Sequence, residues 1–340
     1  MRAQSVTSPF ASDIEPPELG EIHAMTLHSA PPDEPSAHQK AAGPRLARCP
    51  VCGAASFTPR TTVQGVALEA CNGCGLLVQN PQPSDDQLAA IYGANYFIGS
   101  SENDRLAPHF DLVKRATASL QLDDIAAYLR KLGPDAAHPS LLEVGCGRGN
   151  MLLEARNRGY EVYGLEFSTD AARVANRKLE ADVVRVGAID KGTFPEQSFD
   201  VCILADVIEH VRDPAGFLQI ISRLLKPGGI VFIATPSIES WSARLLGWNW
   251  MEYKPEHLFF FDPGTIARLL ENAGFGHIEI SSGRKVLTPD YMIGHFEKYP
   301  VPVFSQLLGA LRRFTPTALL GKPIRVTPSG INVLAAKRTS

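Results

Sequence analysis

From residue 140 onward, short apolar runs alternate with segments whose apolar positions recur at helical spacing. The runs 141–144, 161–165, 183–186, 200–204, 230–234, 277–280 and 331–336 are predicted strands. Between them, 150–158, 169–179, 214–225 and 263–272 are predicted helices, the first closed by Gly159 and the last by Gly274. Lys226-Pro227-Gly228-Gly229 reads as a turn before the fifth strand. Such a series folds as a mostly parallel sheet with helices on both faces, so the fold class is α/β. Ahead of it, Leu112, Ala116, Leu120, Ile125 and Leu129 mark a helix over 110–132 that ends at Gly133-Pro134. Ser84, Asp85 and Asp86 start a shorter helix through Tyr92.

The first 44 residues break this pattern. They hold seven prolines, many Ser and Ala, and no sustained periodicity, the composition of a disordered tail. Over the whole chain of 340 residues, 44% are hydrophobic, enough to bury a core in the rest. Lys plus Arg number 33 against 36 Asp plus Glu, a net charge of -3, which excludes a strongly basic nucleic-acid binder. No run approaches the roughly 18 apolar residues of a membrane span, and the N-terminus lacks the apolar core of a secretory signal. The expected compartment is the cytoplasm.

Four of the six cysteines form two knuckles, Cys49-Pro-Val-Cys52-Gly53 and Cys71-Asn-Gly-Cys74-Gly75. Each CxxC turn lets two thiolates face one ion, and the glycine after each pair permits a left-handed turn. Together they read as a closed tetrahedral Zn²⁺ site of the zinc-ribbon type, with a hairpin over 56–70 between the knuckles. A disulfide framework is the rival reading, disfavoured in a chain without a secretory signal. Four thiolates leave no open position, so the zinc is structural. Cys146 and Cys202 sit in apolar runs and read as small buried hydrophobes. The chain thus divides into a tail (1–44), a zinc ribbon (45–80), a helical linker or substrate cap (81–135) and the α/β domain (136–340). An insertion at about 285–328 carries a helix over 303–314 and a basic cluster, Arg312, Arg313, Lys322 and Arg325, read as a solvated face.

The first strand of the α/β domain runs into Glu143-Val144-Gly145-Cys146-Gly147-Arg148-Gly149, then a helix. Glycines there let the backbone approach a ligand with a helix N-terminus behind it. Glu166 ends the next strand, where an acid can accept hydrogen bonds from both ribose hydroxyls. A dinucleotide or S-adenosylmethionine fits this arrangement. The spacing GxGxG and the leading acid Glu143 favour S-adenosylmethionine.

On these residues the region 140–282 resembles a class I S-adenosylmethionine-dependent methyltransferase, a Rossmann-like fold. The resemblance extends to Phe199-Asp200-Val201 through Asp206-Val207-Ile208-Glu209-His210-Val211, to Leu224 through Gly229, to Glu256-His257-Leu258-Phe259-Phe260-Phe261, and to Leu270 through Phe275. It implies that Gly145, Gly147 and Gly149 line the methionine moiety, that Glu166 holds the ribose, and that Phe167 stacks beside the adenine. Glu143 and Asp206 belong to the same implied cofactor site. The adenine amino group would be met by the backbone near Ala188 and Ile189 or by Asp190, since Ala188 stands where family members often carry an acid.

An activated methyl donor leaves the protein mainly the task of aligning the acceptor, with a base where the acceptor must lose a proton. His210, at the carboxyl edge of the fourth strand, and His257, after an aromatic loop with Trp248, Trp250 and Tyr253, are the candidate bases. Aromatics packed that densely suit a pocket wall, or else cover the sheet as core, and His210 could instead cap its loop by hydrogen bonds to the backbone. Glu256 stands beside His257 to orient it. The four-cysteine site with His210 and Glu256-His257 resembles bacterial sugar C-methyltransferases, in which Tyr96 would match a tyrosine near the sugar. Ubiquinone-type O-methyltransferases share the region 206–211 but not the ribbon. The expected acceptor is a small polar molecule, a sugar or glycan hydroxyl or carbon, with a quinone-like or other natural-product hydroxyl as the alternative. The rival of another class is a ribbon that directs methylation of RNA or protein, against which Arg45, Arg48 and Arg60 are too few to track phosphates.

Overall fold

In the computed structural model the described residues are 43–91, 107–133, 138–298, 309–310 and 312–339. Nearly all of the expected tail, and Tyr96, lie outside them. Seven strands build the main sheet: β4 (Ser140–Val144), β5 (Glu161–Glu166), β6 (Val184–Val186), β7 (Phe199–Ala205), β8 (Leu225–Pro236), β10 (Phe275–Ser282) and β13 (Gly330–Lys337). Their order is β10-β13-β8-β7-β4-β5-β6. The first five in sequence run parallel, while β13 is antiparallel to both β8 and β10. The chain moves outward from β4 to β6, then returns to place β7 on the other side of β4. The crevice at that reversal, beyond the carboxyl ends of β4 and β7, is where such sheets bind ligands.

The helices begin where their side chains satisfy the first free N–H groups. In α4 (Thr169–Leu179), Ser168 accepts from Ala171 N; in α5 (Pro214–Leu224), Asp213 accepts from Gly216 N. Asp262 and Thr265 close a reciprocal capping box on α7 (Pro263–Asn272). The helix α3 (Asn150–Asn157) starts from left-handed Gly149. The long α2 (Ala107–Leu132) buries Leu122, Ile125 and Tyr128 in the core that holds Leu141, Val201 and Ile230. Cys146 is buried in that cluster and Cys202 is buried on β7, as expected. Two boundaries differ from the pattern reading. Lys226 to Gly229 does not leave the sheet; β8 runs through it with a register shift opposite Phe199 and Val201. The insertion also contains a two-stranded ribbon, β11 (Lys285–Leu287) with β12 (Ile324–Val326), and a helix α8 (Pro289–Lys298), whose Thr288 accepts from Tyr291 N.

The cysteine-bearing module is a small antiparallel sheet of β1 (Phe57–Val63), β2 (Val66–Cys71) and β3 (Leu77–Gln79), followed by α1 (Asp85–Ile91). Its fourth strand comes from elsewhere in the chain: β9 (Phe259–Phe260) pairs Leu77 with Phe260 and Val78 with Phe259. Val66, Leu68, Ala70 and Leu77 pack against Trp250, Tyr253 and Phe260. Trp250 and Tyr253 are therefore core and not pocket wall, and they hold the ribbon to the α/β domain. Trp248 remains exposed above Tyr253. No described helix is long and apolar enough to cross a membrane.

Candidate active site

The crevice loop follows β4 directly. Gly145, Gly147 and Gly149 all have positive φ, at 71°, 51° and 72°. A Cβ at Gly145 would meet Val207 Cγ2 at 2.8 Å, and one at Gly149 would meet Ala175 Cβ at 2.9 Å. At Gly147 a Cβ would meet nothing within 4 Å, so the backbone there borders open space that a ligand can fill. Glu166, at the end of β5, accepts from Gly147 N (2.7 Å) and Ser168 N (2.8 Å), which locks the loop to the strand. Glu143 is buried with one carboxyl oxygen unpartnered among the described residues. Burial, then the charge of Glu166, raises its pKa well above the usual carboxylate range. An orphaned buried carboxyl beside a bare glycine turn is the setting a polar ligand would complete.

The other predicted cofactor residues sit around that loop. Phe167 is 76% exposed next to Glu166, free to cover a flat ring. Ala188 is exposed beyond β6. Asp190 is also exposed, but its Oδ1 accepts from Gly192 N (2.8 Å) and Thr193 Oγ1 (2.9 Å). Those bonds, Gly192 first, lower its pKa and turn its carboxylate toward its own loop. Asp206 caps β7 in a left-handed conformation (φ 56°) and meets Lys285 Nζ at 3.4 Å. Lys285 and other lysines keep Asp206 ionised against burial.

Beside Asp206 lies a corner of two imidazoles. His210 and His257 stand edge to face with ring centroids 4.8 Å apart. His210 Nδ1 is 3.1 Å from Glu256 O, and His257 Nδ1 is 2.8 Å from Glu252 O. A carbonyl only accepts, so both Nδ1 atoms carry the hydrogen and each Nε2 holds the basic lone pair. Burial lowers the His210 pKa to about 4. Burial, then the neighbouring His210 and Lys254, lowers that of His257 to about 3. Both rings are neutral at physiological pH. Among the described residues no hydrogen bond joins the Glu256 carboxyl to His257; Glu256 acts through its backbone carbonyl, and burial raises its pKa.

Three residues that pattern reasoning passed over complete the corner. Glu209 is buried, accepts from Thr235 Oγ1 (3.0 Å), and keeps Oε1 4.0 Å from His210 Nε2. Burial, then Asp206, lifts its pKa to about 8. Glu252 pairs with Lys254 (3.0 Å) and accepts from Ser329 (3.0 Å). Lys285 arrives on β11, 79 residues after Asp206. Glu209 was visible as an acid inside an apolar run; Lys285 carried no local signal.

The four cysteines converge at the other end of the small sheet. Cys49 and Cys74 sulfurs are 3.6 Å apart, and Cys52 and Cys71 sulfurs 3.4 Å. All four lie within 4.8 Å of one another, and none is in a disulfide. A tetrahedral ion with 2.3 Å metal–sulfur bonds needs sulfur separations of about 3.8 Å, so the donor set fits.

A mostly parallel α/β sheet with a glycine loop and a terminal acid at its switch point is the architecture of a nucleotide-cofactor-binding fold. Residues 117–280 match the family profile described as a methyltransferase domain. The chain is 29% identical over 180 residues to a malonyl-[acyl-carrier protein] O-methyltransferase of Serratia marcescens, covering 52% of this chain and 68% of that protein. It is 30% identical over 157 residues to a ubiquinone biosynthesis O-methyltransferase of Thiobacillus denitrificans, covering 43% and 68%. A solved S-adenosylmethionine-dependent methyltransferase of Archaeoglobus fulgidus overlaps 65% of this chain and 94% of its own, at 18% identity and a TM-score of 0.42. The chain belongs to the class I S-adenosylmethionine-dependent methyltransferases. It is an enzyme of that class, preceded by a four-cysteine ribbon.

Proposed function

We propose that the enzyme methylates a hydroxyl or an enolisable carbon of a small polar acceptor of the sugar or glycan type, with the His210–His257 pair as the base. The observation that carries this reading is the pair itself: two neutral buried rings, each fixed by an Nδ1–H bond to a backbone carbonyl, at the carboxyl edge beside Asp206. S-adenosylmethionine, when bound, supplies the activated methyl group. Gly145 and Gly149 let the loop pack closely on Val207 and Ala175, Gly147 borders the open space its methionine moiety would fill, and Glu143 would meet it with its orphaned carboxyl oxygen. Glu166 holds the ribose, Phe167 covers the adenine, and the Ala188–Ile189 backbone or Asp190 meets its edge. The protein then aligns the acceptor oxygen or carbon, and an Nε2 takes its proton. Tyr96 belongs to this acceptor side as a proposed contact. Asp206, with Lys285, lines the wall between cofactor and acceptor.

We further propose that Cys49, Cys52, Cys71 and Cys74 hold one structural Zn²⁺. The polar corner, with charged Lys285, Lys254 and Glu252, favours a hydrophilic acceptor over a bare quinone ring. Transfer of a labelled methyl group to cell extracts, with the product identified, tests the acceptor class. A labelled sugar or glycan supports the reading, and a labelled quinone, RNA or protein replaces it. Calorimetry tests the cofactor side: Glu166→Ala is expected to weaken S-adenosylmethionine binding about 100-fold, since charge-assisted bonds are lost. Unchanged affinity would move the ribose elsewhere.

A further inference from the structure

Ten large hydrophobic side chains are exposed among the described residues, and six of them fall on two short segments. Trp241, Leu245 and Trp248 lie on the helix α6 (Trp241–Leu246) and the turn after it; Phe314, Leu319 and Ile324 lie in the insertion before and on β12. Leu245 is 72% and Phe314 84% exposed, so neither is held by packing. The two segments meet, because Trp241 Nε1 donates to the carbonyl of Thr327, just past β12. Residues 240–250 and 312–326 contain five cations, of which Arg244 pairs with Glu239 and Arg312 with Asp290 and Glu297. Arg313, Lys322 and Arg325 are exposed and join no ion pair among the described residues.

We propose that this face docks the enzyme on an anionic phospholipid bilayer. Tryptophan seats at the boundary between headgroups and hydrocarbon, where its ring is buried and its N–H stays paired. Leucine and phenylalanine reach below that level, and Arg and Lys meet lipid phosphates from the same surface. The charge left without a carboxylate among the described residues, on Arg313, Lys322 and Arg325, is all positive, which selects an anionic partner. A nucleic acid would answer the cations but leave Leu245 and Phe314 in water. The face also lies at the working edge of the main sheet: α6 follows the carboxyl end of β8, and β11, the partner of β12, carries Lys285 to Asp206. Docking there brings the acceptor corner to the membrane surface while the sheet stays in water.

The test is sedimentation of the full chain with vesicles of phosphatidylcholine alone and of phosphatidylcholine with phosphatidylglycerol. Binding is expected to the mixed vesicles, weakened by salt, with a blue shift of tryptophan fluorescence. Lys322→Glu with Arg325→Glu is expected to lower partitioning at least about 25-fold, about fivefold for each charge removed. Leu245→Ser with Phe314→Ser is expected to lower it about tenfold. Calorimetry with S-adenosylmethionine, unchanged in both variants, certifies their folds. No binding to mixed vesicles by the parent chain would overturn the proposal, as would equal binding by the variants. A gel shift with single-stranded RNA that depends on Lys322 and Arg325, without vesicle binding, would reassign the face to nucleic acid.

Discussion

Replacing His257 by alanine is expected to lower kcat by 10² to 10⁴ while S-adenosylmethionine binds as before, the usual range for loss of a positioned base. The cofactor loop follows β4, and no hydrogen bond among the described residues links it to His257, so calorimetry should give the parent affinity. His210→Ala removes the ring against which His257 stands. If His257 is the base, its effect is smaller than that of His257→Ala; the opposite order assigns the proton to His210. The pH profile discriminates further. A free imidazole protonates near pH 6.5, but burial moves His210 to about 4 and His257 to about 3. The folded pKa values lie below the ordinary one, so each ring stays unprotonated down to about pH 5 and kcat should show no imidazole limb near 6.5. A limb at 6.5 that vanishes in His257→Ala would show that the ring is solvated, against the burial seen here. Equal turnover in both alanine variants would remove the pair from the chemistry.

Why these residues could be found in the sequence, and others could not, follows from how each is held. The cofactor crevice is local: strand, glycine turn and helix are consecutive, and Glu166 lies one βαβ unit on, so spacing alone brings Gly147 within hydrogen-bond range of Glu166. The cysteine knuckles are likewise set by two tight turns. His210 and His257 were legible as chemistry, but their contact depends on Leu258, whose N–H reaches Glu209 O at 2.8 Å across the fold. Lys285 comes from the insertion and Ser329 from just before the last strand, and pairing over such distances leaves no period in the chain. Trp250 and Tyr253 misled for the same reason. A dense aromatic loop looks identical whether it walls a pocket or covers a module, and only the position of Val66, Leu68 and Leu77 beneath it decides.

Replacing Cys71 and Cys74 by serine is expected to abolish zinc binding and to lower methyl transfer about 100-fold, with cofactor affinity within about twofold of the parent. The ribbon spans only 45–80, too short to stabilise itself by burial, and small four-cysteine modules draw most of their folding free energy from the ion. Its collapse has a route to the active site that does not pass through the cofactor loop. Leu77 and Val78 of β3 pair with Phe260 and Phe259 of β9, and Gln79 N donates to Leu258 O at 3.0 Å. His257 lies two residues before that strand, and Tyr253, packed against the ribbon core, follows Glu252, whose carbonyl fixes the His257 tautomer. Without β3 the loop 250–260 loses its partner strand and its apolar backing together. A shift of about 1 Å in a positioned base costs on the order of 100-fold in rate. Metal analysis of reduced parent protein should give one zinc per chain, and chelation should reproduce the variant until zinc is restored. A zinc-free variant with full turnover would break the link between ribbon and histidine. Loss of S-adenosylmethionine binding in step with zinc would show instead that the ribbon supports the whole sheet, not the acceptor corner alone.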